Sequence, residues 1–296
     1  MTMNVVVIGA NGQLGTDLVA AFSEHGDAVR GLSHGDIEIS DLNSVSRVLE
    51  ELRPELVVNT AAMHHVENCE QHPEKAFAIN AVGARNLARV SRGLDAVLMH
   101  VSTDYVFDGN KKKPYVEEDI PLPLNAYGIT KLAGEHFVCS TTPKHFIVRT
   151  SGLYGQSPCR AKGGLNFIEL MLKLAKERGE VRVVDSEFVT PTSTAELAQQ
   201  LVRLSRSNRH GLYHATAEGS CSWYEFAREI FALTDTKVKL HVAGPNEFPA
   251  KVPRPNYSVL ENRALKSQGL NAFKPWQDGL QKYLGNRIKS ASPVHP

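Results

Sequence analysis

The sequence predicts an α/β protein built on a doubly wound parallel sheet with a smaller C-terminal lobe. Three observations predict it. Short apolar runs alternate with amphipathic stretches through the first half of the chain, as they do where helices cover parallel strands. The first run, Val5-Val6-Val7-Ile8, is apolar at every position, which fits a strand buried on both faces. Beyond residue 150 the rhythm loosens. This divides the chain into a core over 1–150 and a lobe over 151–296, from which some segments return to the core.

The elements follow in order. After the first strand, Leu14, Leu18 and Phe22 recur every four residues and give a helix one apolar stripe. Asp27 to Leu32 reads as a second, weaker strand. Asp41 is placed to cap a helix carrying Val45, Val48, Leu49 and Leu52, which Pro54 stops. Leu56-Val57-Val58 is a third strand, and a helix follows from about Pro73 to Arg92. Ala96 to Met99 begins a fourth strand, a helix starts near Ala126, and Phe146-Ile147-Val148 is a fifth strand. In the second half, Asn166 to Arg178 is helical, with Phe167, Leu170, Met171 and Leu174 on one face. Ser222 and Glu225 form a capping box before Phe226, Ile230 and Phe231. Pro245, Pro249, Pro253 and Pro255 mark a loop-rich segment able to close over a site.

Composition narrows the function. The 296 residues hold 33 Lys plus Arg against 32 Asp plus Glu, a net charge of +1. That balance argues against a general nucleic-acid or anionic-membrane binder, which carries a basic excess. A hydrophobic fraction of 42% with 22% charged residues is that of an ordinary globule, not of a disordered or repetitive chain. Met1 to Met3 hold no basic residue and the apolar run reaches Gly9 too soon for a signal peptide, and no stretch is long enough to span a bilayer. Cys69, Cys139, Cys159 and Cys221 are scattered without metal-ligand spacing, as reduced thiols in a cytoplasmic protein would be.

Gly9-Ala-Asn11-Gly12-Gln13-Leu14-Gly15 sits directly after a strand and opens a helix. That context suits a dinucleotide-binding turn of the Rossmann type. Glycines permit the tight turn and close approach to a pyrophosphate, and the helix N-terminus offers free N–H groups to the phosphates.

Tyr127 and Lys131 stand four residues apart, so on a helix they share one face. A phenol is a poor acid near neutral pH, and a neighbouring cation is expected to lower its pKa. Such a tyrosine can protonate a ketone oxygen as hydride reaches the carbon. Ser102 and Thr103 end the fourth strand at the sheet edge where open α/β folds bind ligands, which lets Thr103 hydrogen-bond the same oxygen. Asn80, in the preceding helix, is assigned a structural polar role.

Together, the glycine loop, the strand-terminal Ser/Thr and Y-x-x-x-K resemble the extended short-chain dehydrogenase/reductase superfamily. Longer strings are similar to the dTDP-4-dehydrorhamnose reductase family: Gly12-Gln-Leu-Gly15, Val101 to Gly109, Tyr127 to Glu135, Arg149-Thr-Ser151, Asn166-Phe167, Pro191-Thr192 and Arg254-Pro-x-Tyr-Ser258. The resemblance runs to about residue 284. It implies catalytic roles for Thr103, Tyr127 and Lys131. It implies that Gly9, Asn11, Gly12, Gln13, Leu14 and Gly15 hold the cofactor pyrophosphate, that Ala61 and Ala62 line the adenosine and nicotinamide path, and that Asp41 and Leu42 lie near the adenine. Tyr127 and Lys131 would also touch the cofactor. Val66, Asp104, Tyr105, Val106, Asn166 and Arg254 would face the substrate, Arg254 with a fork of donors suited to a diphosphate. The implied activity is NAD(P)H-dependent reduction of a nucleotide-linked 4-keto-6-deoxyhexose, dTDP-4-dehydro-β-L-rhamnose to dTDP-L-rhamnose. The partners would be the nucleotide sugar and, in a homodimer, a second copy of the chain, with no nucleic acid, membrane or metal. Two alternatives stay open: a reductase giving another deoxyhexose epimer, and a non-catalytic regulatory subunit of the methionine adenosyltransferase type.

Two departures touch the substrate side. Gly152 stands where many members carry tryptophan, and Met63-His64-His65 replaces small and hydroxyl residues. His64 and His65 are read as pocket wall and His72 as a helix start, in preference to a metal site. Lys111 to Lys113 read as a solvated turn, and Trp223 and Trp276 as core. The second strand ends in Ser33-His34 with no carboxylate before Asp36. An acidic tip would repel a 2′-phosphate, so this end, with Ser33 as a donor, admits NADPH, and NADH is also accepted. Asp36 folding back on Gly35 is the alternative.

Overall fold

The computed structural model describes residues 2–159, 163–244, 247–248 and 250–291. Strands β1 (Asn4–Ile8), β2 (Ala28–Leu32), β3 (Leu56–Asn59), β4 (Val97–Thr103) and β5 (His145–Thr150) lie where the apolar runs place them. The second half supplies the short strands β6 (Leu153–Tyr154), β7 (Glu180–Val183), β8 (Phe188–Val189) and β9 (Thr192–Ser193), then β10 (Gly211–His214), β11 (Cys221–Ser222) and β12 (Lys239–Val242). The main sheet is fully parallel and runs β10-β5-β4-β3-β1-β2. Chain order reverses between β1 and β3, and the crevice beyond the C-terminal ends of these strands is the natural ligand site of such a sheet.

Alternation along β1 explains why its sequence is apolar throughout. Val5 and Val7 pack in one core with Leu14, Leu18, Phe22 and Leu201, while Val6 and Ile8 pack in another with Val45, Leu49 and Leu87. The first cluster lies under helices α1 (Gln13–Glu24) and Thr194–Ser205, the second under α2 (Leu42–Leu52) and Gly83–Gly93. Asp41 caps α2, its carboxylate accepting from Asn43 N at 2.9 Å.

The expected helix from Pro73 to Arg92 is divided. An α-helical turn over Pro73–Phe77 passes into a π-helical segment, Ala78–Val82, before Gly83–Gly93. The wider turn carries Asn80, whose amide bonds both polar groups of Met63 (2.8 and 3.0 Å) and the Thr130 hydroxyl (3.0 Å). Asn80 thus ties the loop after β3 to the helix bearing Tyr127.

Residues after 150 build a second core from Tyr154, Ile168, Met171, Phe226, Ile230, Trp276 and Leu280. The Ser222–Glu225 capping box is formed. One segment of the second half returns to the main sheet as its edge strand β10, paired with β5. Of the prolines expected to shape a loop over the site, Pro245 and Pro249 lie outside the described residues.

Candidate active site

A continuous cavity of about 920 Å³ runs from the glycine loop past the end of β4 to Arg254. This is at the upper end of ordinary small-molecule sites. Of the residues singled out from sequence, it brings together Gly9, Asn11, Gly12, Gln13, Leu14, Gly15, Ser33, Ala61, Ala62, Val66, Thr103, Asp104, Tyr105, Tyr127, Lys131, Asn166 and Arg254. Asp41, Leu42 and Val106 are not in its lining. Asp41 is committed to capping α2, Leu42 begins that helix and packs against the core, and Val106 is fully buried with Phe107, Tyr115 and Leu260. Beyond Ser33 the lining comes instead from Ile37, Glu38, Ile39 and Ser40.

The glycine loop has the form a pyrophosphate requires. A β-carbon on Gly15 would meet the Gly9 carbonyl oxygen at 2.1 Å, so only glycine lets the helix start this close to the turn. Gly12 is the N-cap of α1 and gives no side-chain bond, leaving first-turn amides and the helix dipole for an anion. Gln13 reaches across the cleft, its amide donating to the carbonyls of Gly155 (3.0 Å) and Ser157 (2.9 Å) in the second lobe.

At the tip of β2 the structure corrects the expectation of a carboxylate-free end. Asp36 folds back, and its carboxylate accepts from Ser33 N (2.8 Å) and Ser33 Oγ (2.7 Å). These bonds, the backbone one first, hold the Asp36 carboxyl below its usual range.

Thr103, Tyr127 and Lys131 gather at the end of β4 and the start of α6 (Ala126–Thr141). Thr103 donates to Asp104 Oδ1 at 3.0 Å and accepts from Tyr105 N at 3.1 Å. The Tyr105 and Tyr127 rings meet edge to face at 5.9 Å. Burial pushes the Tyr127 phenol well above its ordinary value. A hydrogen bond with Thr103 opposes the shift, and the Asp104 and Cys69 groups add to it. Lys131 is not among the groups that shift this phenol, so the expected lowering by its ammonium is not seen and burial sets the direction. Burial also raises the Asp104 carboxyl, against hydrogen bonds from Ser258, Ser151 and Thr103.

Lys131 is itself buried and donates to the Val101 carbonyl at 2.7 Å. Its Nζ also lies 3.4 Å from His100 Nε2. On the far side of that ring, Asn59 Nδ2 sits 3.0 Å from His100 Nδ1, and Asn59 Oδ1 is occupied by Ala61 N. The Asn59 amide therefore donates to Nδ1, the proton of neutral His100 resides on Nε2, and a second donor faces Lys131. Burial brings the Lys131 ammonium down to about 8, with Glu135 opposing. Glu135, one helical turn on, forms a buried pair with Arg149 (2.6 Å) and accepts from Ser102 Oγ (2.5 Å).

The Arg254 end of the cleft shows what sequence reasoning missed. Gly152 has φ +58°, and a β-carbon there would lie 2.9 Å from the Thr190 carbonyl oxygen, so no side chain stands at this position. The aromatic wall comes from elsewhere: Phe167 and Trp223 line the cavity with ring centroids 4.6 Å apart. Trp276 is core, as expected, whereas Trp223 is half-buried and faces the cleft. Its position beside Phe226 on one apolar helix face hid this role. Asn166 lines the cavity and caps its helix, accepting from Glu169 N. Arg254 pairs with Glu67 at 2.5 Å. Partial burial raises the Glu67 carboxyl, but backbone hydrogen bonding and Arg254 hold it below its usual range. His65 Nδ1 lies 3.3 Å from the same carboxylate, and His64 and His65 both line the cavity. Among the described residues, no group of three His, Cys, Asp or Glu side chains is arranged to hold a metal ion, and no helix is long and apolar enough to cross a membrane.

Residues 3–288 match the family described as the RmlD substrate binding domain. The chain is 39% identical to the spore coat polysaccharide biosynthesis protein SpsK of Bacillus subtilis strain 168, over 96% of this chain and 97% of that one. It is 38% identical to a dTDP-4-keto-6-deoxy-D-glucose reductase of Streptomyces niveus, over 95% and 96% of the two chains. A dTDP-4-dehydrorhamnose reductase of Bacillus anthracis, solved in complex with NADP, superposes with a TM-score of 0.91 at 37% identity, over 97% of this chain and all of that one. With its parallel sheet, its uncapped glycine turn and its Thr103, Tyr127 and Lys131 at one sheet edge, the chain belongs to the dTDP-4-dehydrorhamnose reductase family.

Proposed function

We propose that this protein is an NADPH-dependent oxidoreductase that reduces the C4 ketone of a dTDP-linked 4-keto-6-deoxyhexose, with dTDP-4-dehydro-β-L-rhamnose as substrate and dTDP-L-rhamnose as product. The observation that carries the reading is the convergence of Thr103, Tyr127 and Lys131 on a cleft that also holds the glycine turn and Arg254. Residues 1–150 are assigned to the cofactor and 151–296 mainly to the substrate.

The fit to a dinucleotide rests on the Gly15 close approach and the uncapped start of α1. Gly9, Asn11, Gly12, Gln13, Leu14 and Gly15 are assigned to the pyrophosphate, and Ser33, Ala61 and Ala62 to the rest of its path. NADPH, when bound, supplies the hydride, and NADH is accepted too.

The chain's own residues manage the proton and the orientation. Tyr127, buried and protonated, gives its phenolic proton to the oxygen of the ketone as the carbon is reduced. Thr103 holds that oxygen by turning its one hydroxyl proton from Asp104 to the ketone. Lys131 is assigned to the nicotinamide ribose. Phe167 and Trp223 exclude water from the sugar side. Asp104, Tyr105, Val66 and Asn166 shape the sugar site, and Arg254 takes the diphosphate. The action is assigned to the cytoplasm, in keeping with four free cysteines.

Incubation with NADPH and the dTDP-4-keto sugar tests the reading. Loss of reduced-nicotinamide absorbance matched by one reduced sugar supports it. No oxidation, with firm binding of a methionine adenosyltransferase, would replace it by the regulatory-subunit reading.

A further inference from the structure

We infer that Glu67 is the resident counter-ion of Arg254, holding its guanidinium at the mouth of the substrate cleft until the diphosphate of a nucleotide sugar displaces the carboxylate. This rests on the assignment of Arg254 to the diphosphate made above. Both side chains line the cleft and both are partly exposed, at 33% and 25%. An ion pair so placed is weakly held, whereas a diphosphate offers more charge and a bidentate match to the guanidinium. Arg254 also keeps a donor in reserve. Its Nε is buried and has no hydrogen-bond partner among the described residues, so Glu67 satisfies only part of the fork.

The pair sits in a ring of contacts that reaches the proposed acid. Glu67 belongs to the short helix Val66–Gln71, and Glu70 of the same helix accepts from Ala126 N at 2.9 Å. Ala126 is the residue before Tyr127. Asn125, the cap of α6, donates through Nδ2 to the carbonyl of Pro253 at 2.9 Å, next to Arg254. Arg254, the Glu67 helix and the start of α6 therefore close a loop around the cleft. Glu67 is a positioning residue in this arrangement.

A fixed structural brace predicts the opposite binding effect from a displaceable counter-ion. Calorimetric titration of the full chain with dTDP, at constant ionic strength, separates them. Glu67→Gln is expected to bind dTDP roughly three- to tenfold more tightly than wild type, because the competing carboxylate is gone. Arg254→Met is expected to bind it at least ~10-fold more weakly. Adding Glu67→Gln to Arg254→Met should then change nothing. Glu67→Asp, which shortens the reach while keeping the charge, is expected to fall between wild type and Glu67→Gln and covers the case of a poorly folded amide variant. Unchanged or weaker binding by Glu67→Gln overturns the inference, as does equal tightening in the absence of Arg254, which would be a general charge effect. Unchanged binding by Arg254→Met overturns the diphosphate assignment itself.

Discussion

Lys131 donates to the Val101 carbonyl oxygen at 2.7 Å, which ties the buried ammonium to the backbone of β4, and it is not among the groups that shift the Tyr127 phenol. The same lysine has a pKa drawn from 10.5 to about 8, chiefly by burial. A base whose pKa is lowered keeps its proton below that value and loses it above. The ammonium assigned to the nicotinamide ribose is thus present at neutral pH and absent in mild alkali. NADPH affinity, measured by fluorescence titration, is expected to be flat below about pH 8 and to fall above it by up to roughly tenfold per unit. Lys131→Met should bind weakly and lose this dependence. A wild-type profile in the variant would remove Lys131 from the cofactor site.

Tyr127 stays protonated across the same range, since burial raises its phenol. Tyr127→Phe keeps the ring against Tyr105 and removes only the donor. Turnover is expected to fall by ~10²-fold or more with NADPH affinity nearly unchanged. Wild-type turnover would mean that another group supplies the proton.

Next to Lys131, Glu135 and Arg149 form a buried pair that also anchors Ser102, and the Arg149 guanidinium lies 5.2 Å over the Phe107 ring. Removing one partner strands the other charge. Glu135→Leu alone is expected to cost about 3–5 kcal/mol, while the double variant with Arg149→Met recovers much of that loss. Denaturant unfolding of the two single variants and the double variant measures the coupling. Strict additivity of the two changes would show that the pair is not energetically linked.

At the tip of β2 the Asp36 carboxylate occupies Ser33, the donor assigned to the adenosine ribose. NADPH is nevertheless expected to be used at least as well as NADH, with discrimination under ~1.4 kcal/mol, about tenfold, either way. Asp36→Asn removes a charge that repels a 2′-phosphate and should favour NADPH by a further ~3- to 5-fold in kcat/KM, as an exposed charge is worth about 1 kcal/mol or less. A strong NADH preference in wild type would give Asp36 the ribose-binding role instead.

The legible parts of the molecule were those written in local spacing. Val5 to Ile8, the glycine turn and the four-residue interval from Tyr127 to Lys131 each carry their geometry in consecutive residues, and they lie as read. The missed parts depend on contacts far apart in the chain. Nothing near Glu67 announces Arg254, 187 positions on. Trp223 reads as core because its helix is amphipathic, and only the fold shows which edge of that face borders the cleft. Asp41 and Leu42 stand one and two residues past the lining Ser40, where one cap sends their side chains elsewhere. The π-helical turn carries Asn80, whose partners Met63 and Thr130 are distant in the chain, and periodicity alone does not encode it.

Hydride transfer to the sugar is the central claim, and isotope transfer tests it most directly. NADPH carrying deuterium at the transferable position of C4 of the nicotinamide is turned over with dTDP-4-dehydro-β-L-rhamnose, and the product is analysed by mass and NMR spectroscopy. The account predicts a single deuterium at C4 of the sugar in dTDP-L-rhamnose, with no label arising from solvent. Unlabelled or unreduced sugar, or label at another carbon, would contradict it.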